Sequence, residues 1–295
     1  MKILLLGATG QVGRALMRTL STVGDVFPLT RRHCDLRDLR RLNRLLDQED
    51  PDIVVNAAAY TAVDRAEEEP EEAERLNHRL PATLAAWCDA NAALLVDFST
   101  DYVFDGSARR PWRESDPRRP LNVYGASKAR GLEAIEKSGC QYLVFLVSWV
   151  YARQGRNFPN TILRLARERA EIQVVADQVG TPTPAGWIAR QVAVCLEQVL
   201  HDPDKAGLYN LAPSGSTSWW EFARLVVAEA RARGEALALA PEGIRPVASR
   251  DYPTPARRPA YSVLDTERLA TTFGIVPADW RQLYRELVRE SPPVA

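Results

Sequence analysis

Nothing in this chain is spaced as a metal or disulfide framework. Its four cysteines, Cys34, Cys88, Cys140 and Cys195, and three histidines, His33, His78 and His201, are dispersed with no CxxC pair. They read as reduced thiols and ordinary side chains. No apolar run reaches the ~18 residues that a membrane span needs, and Met1 leads into a strand-like segment without a cleavable leader pattern. Net charge is also missing, because Lys plus Arg and Asp plus Glu number 38 each. A neutral chain has no summed field to draw nucleic acid or an anionic membrane, so the expected partner is a small molecule, and with neither a span nor a leader pattern the expected location is cytoplasmic. At 295 residues the chain exceeds a usual single core and suggests two units or one large α/β domain with an appendage.

What is present begins at the first strand. Lys2 to Leu6 reads as a short buried strand running into Gly7-Ala8-Thr9-Gly10-Gln11-Val12-Gly13. A strand feeding a glycine-rich turn that opens a helix suits a dinucleotide pyrophosphate: glycines admit the phosphate to the backbone, and the helix N-terminus offers free N–H groups. A second motif is Tyr124-Gly125-Ala126-Ser127-Lys128. Four residues is about one helical turn, so the phenol and the ammonium share a helix face and can meet at one reacting atom. A fixed ammonium beside the phenol is expected to lower its pKa from the usual value of about 10.

Between and after these motifs, strands alternate with helices. The pattern predicts helices at 14–20, 38–48, 77–90 and 124–138, with strands at 25–29, 53–56, 94–98 and 142–147. The acidic run 67–72 reads as a solvated helix start. Farther on, helices are expected at 160–169, 184–200 and 218–233, strands at 172–175 and 207–211, and a proline-rich ordered loop at 241–259. The fold class is therefore α/β: a Rossmann-type doubly wound parallel sheet with a smaller C-terminal substrate domain. The expected division is 1–150 for the dinucleotide and 151–295 for the substrate, with returns to the first unit near 170–176 and 205–240. Arg31 and Arg32 close the second strand where a carboxylate would read a ribose hydroxyl. They favour the 2′-phosphate of NADPH, with NADH as the alternative, unless they are simply solvated loop residues. Ala57, Ala58, Ala59 and Tyr60 follow the third strand as a candidate cofactor wall. Asp101 suits either a ligand hydroxyl or a turn cap, and Trp149 either core packing or an aromatic platform.

The glycine turn and the Tyr/Lys helix, joined by Asn56–Asp64, Ser99–Gly106, Ser148–Tyr151 and Asp177–Thr183, resemble the extended short-chain dehydrogenase/reductase family, from residue 1 to about residue 269. The resemblance implies NAD(P)H-dependent reduction of the 4-keto group of dTDP-4-dehydro-L-rhamnose, supplying rhamnose for cell-surface polysaccharide such as lipopolysaccharide. It makes Tyr124 the proton donor, Lys128 the residue on the nicotinamide ribose, and Thr100 a hydrogen-bond donor to the same oxygen. Gly7, Thr9, Gly10, Gln11, Val12 and Gly13 would hold the cofactor, with Asp35 and Leu36 near its adenine. Asp101, Trp149 and Arg258 would meet the nucleotide sugar. Two departures stand out. Tyr261 occupies a position where the family usually has Asn, and Gly13-Arg14-Ala15 lacks the Glu through which some members bridge a dimer with magnesium, so no metal is expected, and a homodimer would have to form without one. Two other readings compete: an epimerase or dehydratase, and a non-catalytic relative such as the regulatory subunit of methionine adenosyltransferase. Against the dehydratase, Asp101 is followed by Tyr102 and not by Glu; against the binder, Thr100, Tyr124 and Lys128 are all present.

Overall fold

The computed structural model describes residues 1–289. Its first half runs β1 (Lys2–Leu6), α1 (Gln11–Thr19), β2 (Asp25–Leu29), α2 (Leu39–Glu49), β3 (Ile53–Asn56), α3 (Val63–Ala66), α4 (Pro70–Glu74), α5 (Leu80–Ala90), β4 (Leu94–Thr100), α6 (Val123–Lys137) and β5 (Tyr142–Val147). The second half continues as β6 (Val150–Tyr151), α7 (Phe158–Glu168), β7 (Ile172–Val175), β8 (Val179–Gly180), β9 (Thr183–Pro184), α8 (Ala185–His201), β10 (Gly207–Asn210), β11 (Thr217–Ser218), α9 (Trp219–Ala232), β12 (Ile244–Val247), α10 (Glu267–Phe273) and α11 (Trp280–Arg289).

Six strands form one parallel sheet in the order β10-β5-β4-β3-β1-β2. Its strands are short apolar runs because both faces are covered. Successive side chains of β1 alternate: Ile3 and Leu5 enter a core shared with α1 and α8, while Leu4 and Leu6 enter one shared with α2, α5 and α6. From β1 the chain passes to β2 on one side, and β3 lies on the other. That reversal opens a crevice at the carboxyl ends of β1 and β3, where open α/β sheets bind their ligands. A third cluster, Tyr151, Ile162, Val174, Phe222, Ile244, Trp280 and neighbours, is built from α7, β7, α9, β12 and α11. Of the two expected returns, 205–240 supplies β10 to the main sheet beside β5, whereas 172–175 pairs with β12 in a separate two-stranded sheet.

Two local differences from the sequence pattern have physical causes. The helix expected to start at Asn77 starts at Pro70, where a proline at the first turn costs no hydrogen bond, and it widens into one π-turn at Arg75–Arg79 before α5. The proline-rich 241–259 stretch contains β12, whose Pro246 is tolerated because the two-stranded sheet consists only of edges.

Candidate active site

The glycine turn is shaped by backbone contacts. Gly7 sits at φ +73, and a Cβ there would lie 2.5 Å from the Ala57 carbonyl; a Cβ on Gly13 would lie 2.1 Å from Gly7 O. Both must be glycine for α1 to rest on the loop and the loop on the end of β3. Gly10 differs: a Cβ there would meet protein only at Gly7 O, at 3.3 Å, so what it leaves is open space over the first turn of α1. That helix starts at Gln11 with no side chain capping it, so its first N–H groups face the same space. The turn therefore fits a diphosphate. Thr9 is exposed there, and the partly buried Gln11 accepts from Asn157 Nδ2 at 2.9 Å, which ties the loop to the N-cap of α7.

Around that crevice the other expected cofactor residues fall as follows. Ala57, Ala58, Ala59 and Tyr60 leave β3 half-buried, with Tyr60 N donating to Asn77 Oδ1 at 2.8 Å. Arg31 and Arg32 are exposed just past β2, and neither makes a salt bridge among the described residues. The Asp35 carboxylate beside Leu36 is engaged by Arg37 at 2.6 Å, whose hydrogen bonds hold its pKa at about 2.

Three elements bring the reacting side chains together. β4 ends at Thr100, whose Oγ1 accepts from Tyr102 N at 3.2 Å and donates to Asp101 Oδ1 at 2.9 Å, and whose hydroxyl is near enough to the Tyr124 phenol to act on its pKa. α6 begins on a capping Asn122, which accepts from Gly125 N at 2.7 Å. A Cβ on Gly125 would lie 2.3 Å from Tyr102 O, so glycine lets the first turn of α6 press on the turn after β4. The Tyr124 ring packs edge-on against Tyr102, centroids 5.9 Å apart. One helical turn on, Lys128 is only 4% exposed and its Nζ is 3.9 Å from Asp97 Oδ1.

The electrostatics differ from expectation. Burial pushes the Tyr124 pKa up to about 12, with Asp101 acting in the same direction and the Thr100 hydrogen bond opposing. Lys128 is not among the groups that act on it. A phenol so placed stays protonated at neutral pH and can donate to an oxyanion. Asp101 is pushed up to about 7 by burial, against the Ser262 and Thr100 hydroxyls, and its Oδ2 is buried without a hydrogen-bond partner among the described residues.

The residues expected to meet substrate ring this centre. Trp149, two residues past β5, is held at φ +44 and stacks on Trp219, centroids 3.5 Å apart and planes 6° from parallel. A Cβ on Gly180 would lie 2.4 Å from its indole. The ring is thus half-buried, neither fully core nor free. Arg258 donates to Asp64 Oδ2 at 2.8 Å and Thr254 Oγ1 at 2.6 Å. Tyr261 is placed by its backbone: its carbonyl accepts from Trp112 Nε1 at 2.9 Å, and the next residue, Ser262, donates its N–H to Val179 O at 2.8 Å. Backbone bonds of this kind do not depend on the Asn usual at position 261.

Beneath this site lie Asn77, Gly131, Asn56 and Asp97, to none of which the sequence pattern gave a role. Asn77, fully buried in the π-turn, donates to Tyr60 O and Ser127 Oγ, both at 3.0 Å, and a Cβ on Gly131 would lie 2.0 Å from Asn77 O. Asn56 Nδ2 donates to Asp97 Oδ2 at 2.6 Å. Asn56 and Asp97 are register partners on β3 and β4, and only that register would have exposed them. Among the described residues no group of three or more His, Cys, Asp and Glu could hold a metal ion, and no helix is long and apolar enough to cross a membrane.

Comparison with known proteins extends over the whole chain. The family described as the RmlD substrate binding domain matches residues 1–292. The chain is 45% identical over 294 residues to a dTDP-4-dehydrorhamnose reductase of Burkholderia thailandensis, covering 98% of this chain and 99% of that one. It is 42% identical to the enzyme of the same name from Escherichia coli K12, covering 98% of each. Among solved structures it is similar to the dTDP-4-dehydrorhamnose reductase of Bacillus anthracis in complex with NADP, with a TM-score of 0.89 and 30% identity over 98% of this chain and 99% of that one.

Proposed function

The chain belongs to the RmlD substrate binding domain family, and on that premise we propose that it reduces the 4-keto group of dTDP-4-dehydro-L-rhamnose with NADPH, giving dTDP-L-rhamnose. The observation that carries the reading is the convergence of the Thr100 and Tyr124 hydroxyls beside the open glycine turn, where an acid and a cofactor site share one sheet edge. Residues 7–13 with Arg31 and Arg32 would hold NADPH, which when bound would supply hydride to carbon 4. Tyr124 gives its proton to the oxygen on that carbon, so the ketone becomes an alcohol, and the phenolate regains a proton from solvent. Thr100 turns its hydroxyl towards the same oxygen as charge builds there. Lys128 holds the nicotinamide ribose. The body around the third cluster would be the substrate unit, and Trp149, Asp101 and Arg258 would meet the nucleotide sugar. Because NADPH and nucleotide sugars are cytoplasmic metabolites, the reaction belongs there, and a homodimer would form without a metal bridge. Purified protein given dTDP-4-dehydro-L-rhamnose should oxidise NADPH and form dTDP-L-rhamnose in equal amounts by NMR. Sugar conversion without net NADPH loss would replace the reading with an epimerase, and cofactor binding without turnover with a non-catalytic binder.

Two variants test parts of this reading. Arginine–phosphate hydrogen bonds are charge-assisted and worth roughly 1.5–3 kcal/mol when well placed. Replacing Arg31 and Arg32 together with Ala should therefore weaken NADPH by at least about tenfold and spare NADH in a binding titration. Equal losses for the two cofactors would show that these side chains do not read the 2′-phosphate.

Thr100→Val keeps the side-chain shape and removes the hydroxyl. A bond that strengthens as charge develops appears in turnover more than in affinity, so kcat should fall roughly ten- to a hundredfold with KM little changed. The melting temperature should also drop a little, because Tyr102 N and Asp101 lose a partner. A lower melting temperature with unchanged turnover per folded molecule would leave Thr100 a structural cap only.

A further inference from the structure

Lys128 lies in surroundings that disfavour an ammonium. It is 4% exposed on the inner face of α6, and burial pulls its pKa down from the ordinary lysine value. Several charged or titratable groups face α6 from the elements packed on it, and most are already committed. Glu74 is taken by Arg130 and His78, Asp64 by Arg258, and Asp101 faces Ser262 and Thr100. Tyr102 and Tyr124 are neutral phenols, both with pKa values raised by burial. Asp97 is the one whose charge acts on Lys128.

Asp97 is itself arranged to stay in place. It is 2% exposed, with one carboxylate oxygen 3.9 Å from Nζ and the other accepting from Asn56 Nδ2 at 2.6 Å across the β3–β4 register. Burial raises its pKa, while Lys128, Asn56 and the Phe98 backbone oppose that rise. A lone buried charge would cost several kcal/mol and tend to neutralise, so each group opposes the shift that burial imposes on the other.

We propose that Asp97 is a positioning residue of the reaction: locked by Asn56, its carboxylate fixes the charge and the place of the Lys128 ammonium beneath the cofactor site. The inference rests on the reductase reading for its consequence in turnover but not for the pairing.

The chain has four lysines, Lys2, Lys128, Lys137 and Lys205, so lysine labelled with carbon-13 at Cε gives few NMR signals. Changing the other three to Arg assigns Lys128. Removing an opposite charge at this distance typically moves a pKa by one to three units. In cofactor-free Asp97→Asn, burial then acts alone, and Lys128 should lose its proton one to three pH units lower than in the wild type. The alkaline limb of kcat should move down with it, since activity that needs the ammonium is lost as pH rises through its pKa. Should Asp97→Asn not fold, Asn56→Ser keeps the charge and removes its lock, and the Lys128 titration should again move down by a smaller step. An unchanged Lys128 titration in whichever variant folds overturns the proposal, even if melting temperature falls. The NMR titration needs neither substrate nor cofactor, so it decides the Asp97–Lys128 linkage even if the wild type failed to reduce the sugar.

Discussion

Tyr124→Phe should lower turnover by about 10²- to 10⁴-fold, the usual worth of a positioned general acid, while the NADPH dissociation constant stays within about twofold of wild type. The substitution removes one hydroxyl and keeps the ring that packs edge-on against Tyr102. It leaves intact Asn122 capping Gly125 and the close contact of Gly125 with Tyr102 O, so α6 should keep its place. The lost group is a phenol with a pKa pushed up to about 12, and such a group remains an acid throughout the neutral range. Stopped-flow reduction of the ketone under single turnover isolates the chemical step. A variant retaining more than about a tenth of the wild-type rate there would remove Tyr124 from the role of proton donor.

That raised pKa marks where the sequence ceased to be informative. Tyr124 and Lys128 were legible because helical spacing is local: four residues place two side chains on one face whatever lies around them. The sign of the Tyr124 shift was not legible, because it depends on how deeply α6 is buried and on a carboxylate from another element. Asp97 answers Lys128 only once β4 lies under α6, and Asn56 locks Asp97 only in the β3–β4 register. The same division holds in the fold. β1, the glycine turn and α1 were readable as a strand, a turn and a helix from period and composition alone. The π-turn at Arg75–Arg79 was not, because its Asn77 is satisfied by Tyr60 and Ser127, 17 and 50 residues away. Prolines at 241–259 concealed β12, since propensity cannot tell that Ile244 to Val247 would find Ile172 to Val175.

Gly13→Ala tests the glycine turn most sharply, because two effects of opposite sign meet there. Gly13 lies inside α1, and it is absent from the residues with positive φ. By intrinsic propensity alone, alanine would therefore stabilise that helix by about 1 kcal/mol. Against this, the new Cβ would stand 2.1 Å from Gly7 O, 2.7 Å from Gly7 C and 2.9 Å from Ala8 Cα. All three are backbone atoms and cannot rotate away. Either α1 lifts from the loop, disturbing the fully buried Leu16 beneath it, or the loop leaves the end of β3, where Gly7 already touches Ala57. Overpacking of this kind typically costs about 1–3 kcal/mol and sometimes more, so the steric term should win and the melting temperature should fall by several degrees. Function should suffer more than stability, because the turn and the first N–H groups of α1 together form the phosphate cradle. A displacement of about an ångström in such a site costs on the order of a hundredfold, so NADPH affinity should drop by about that factor in a fluorescence titration. If the variant melted higher than the wild type and bound NADPH as well, α1 would not rest on Gly7, and the cradle would lie elsewhere.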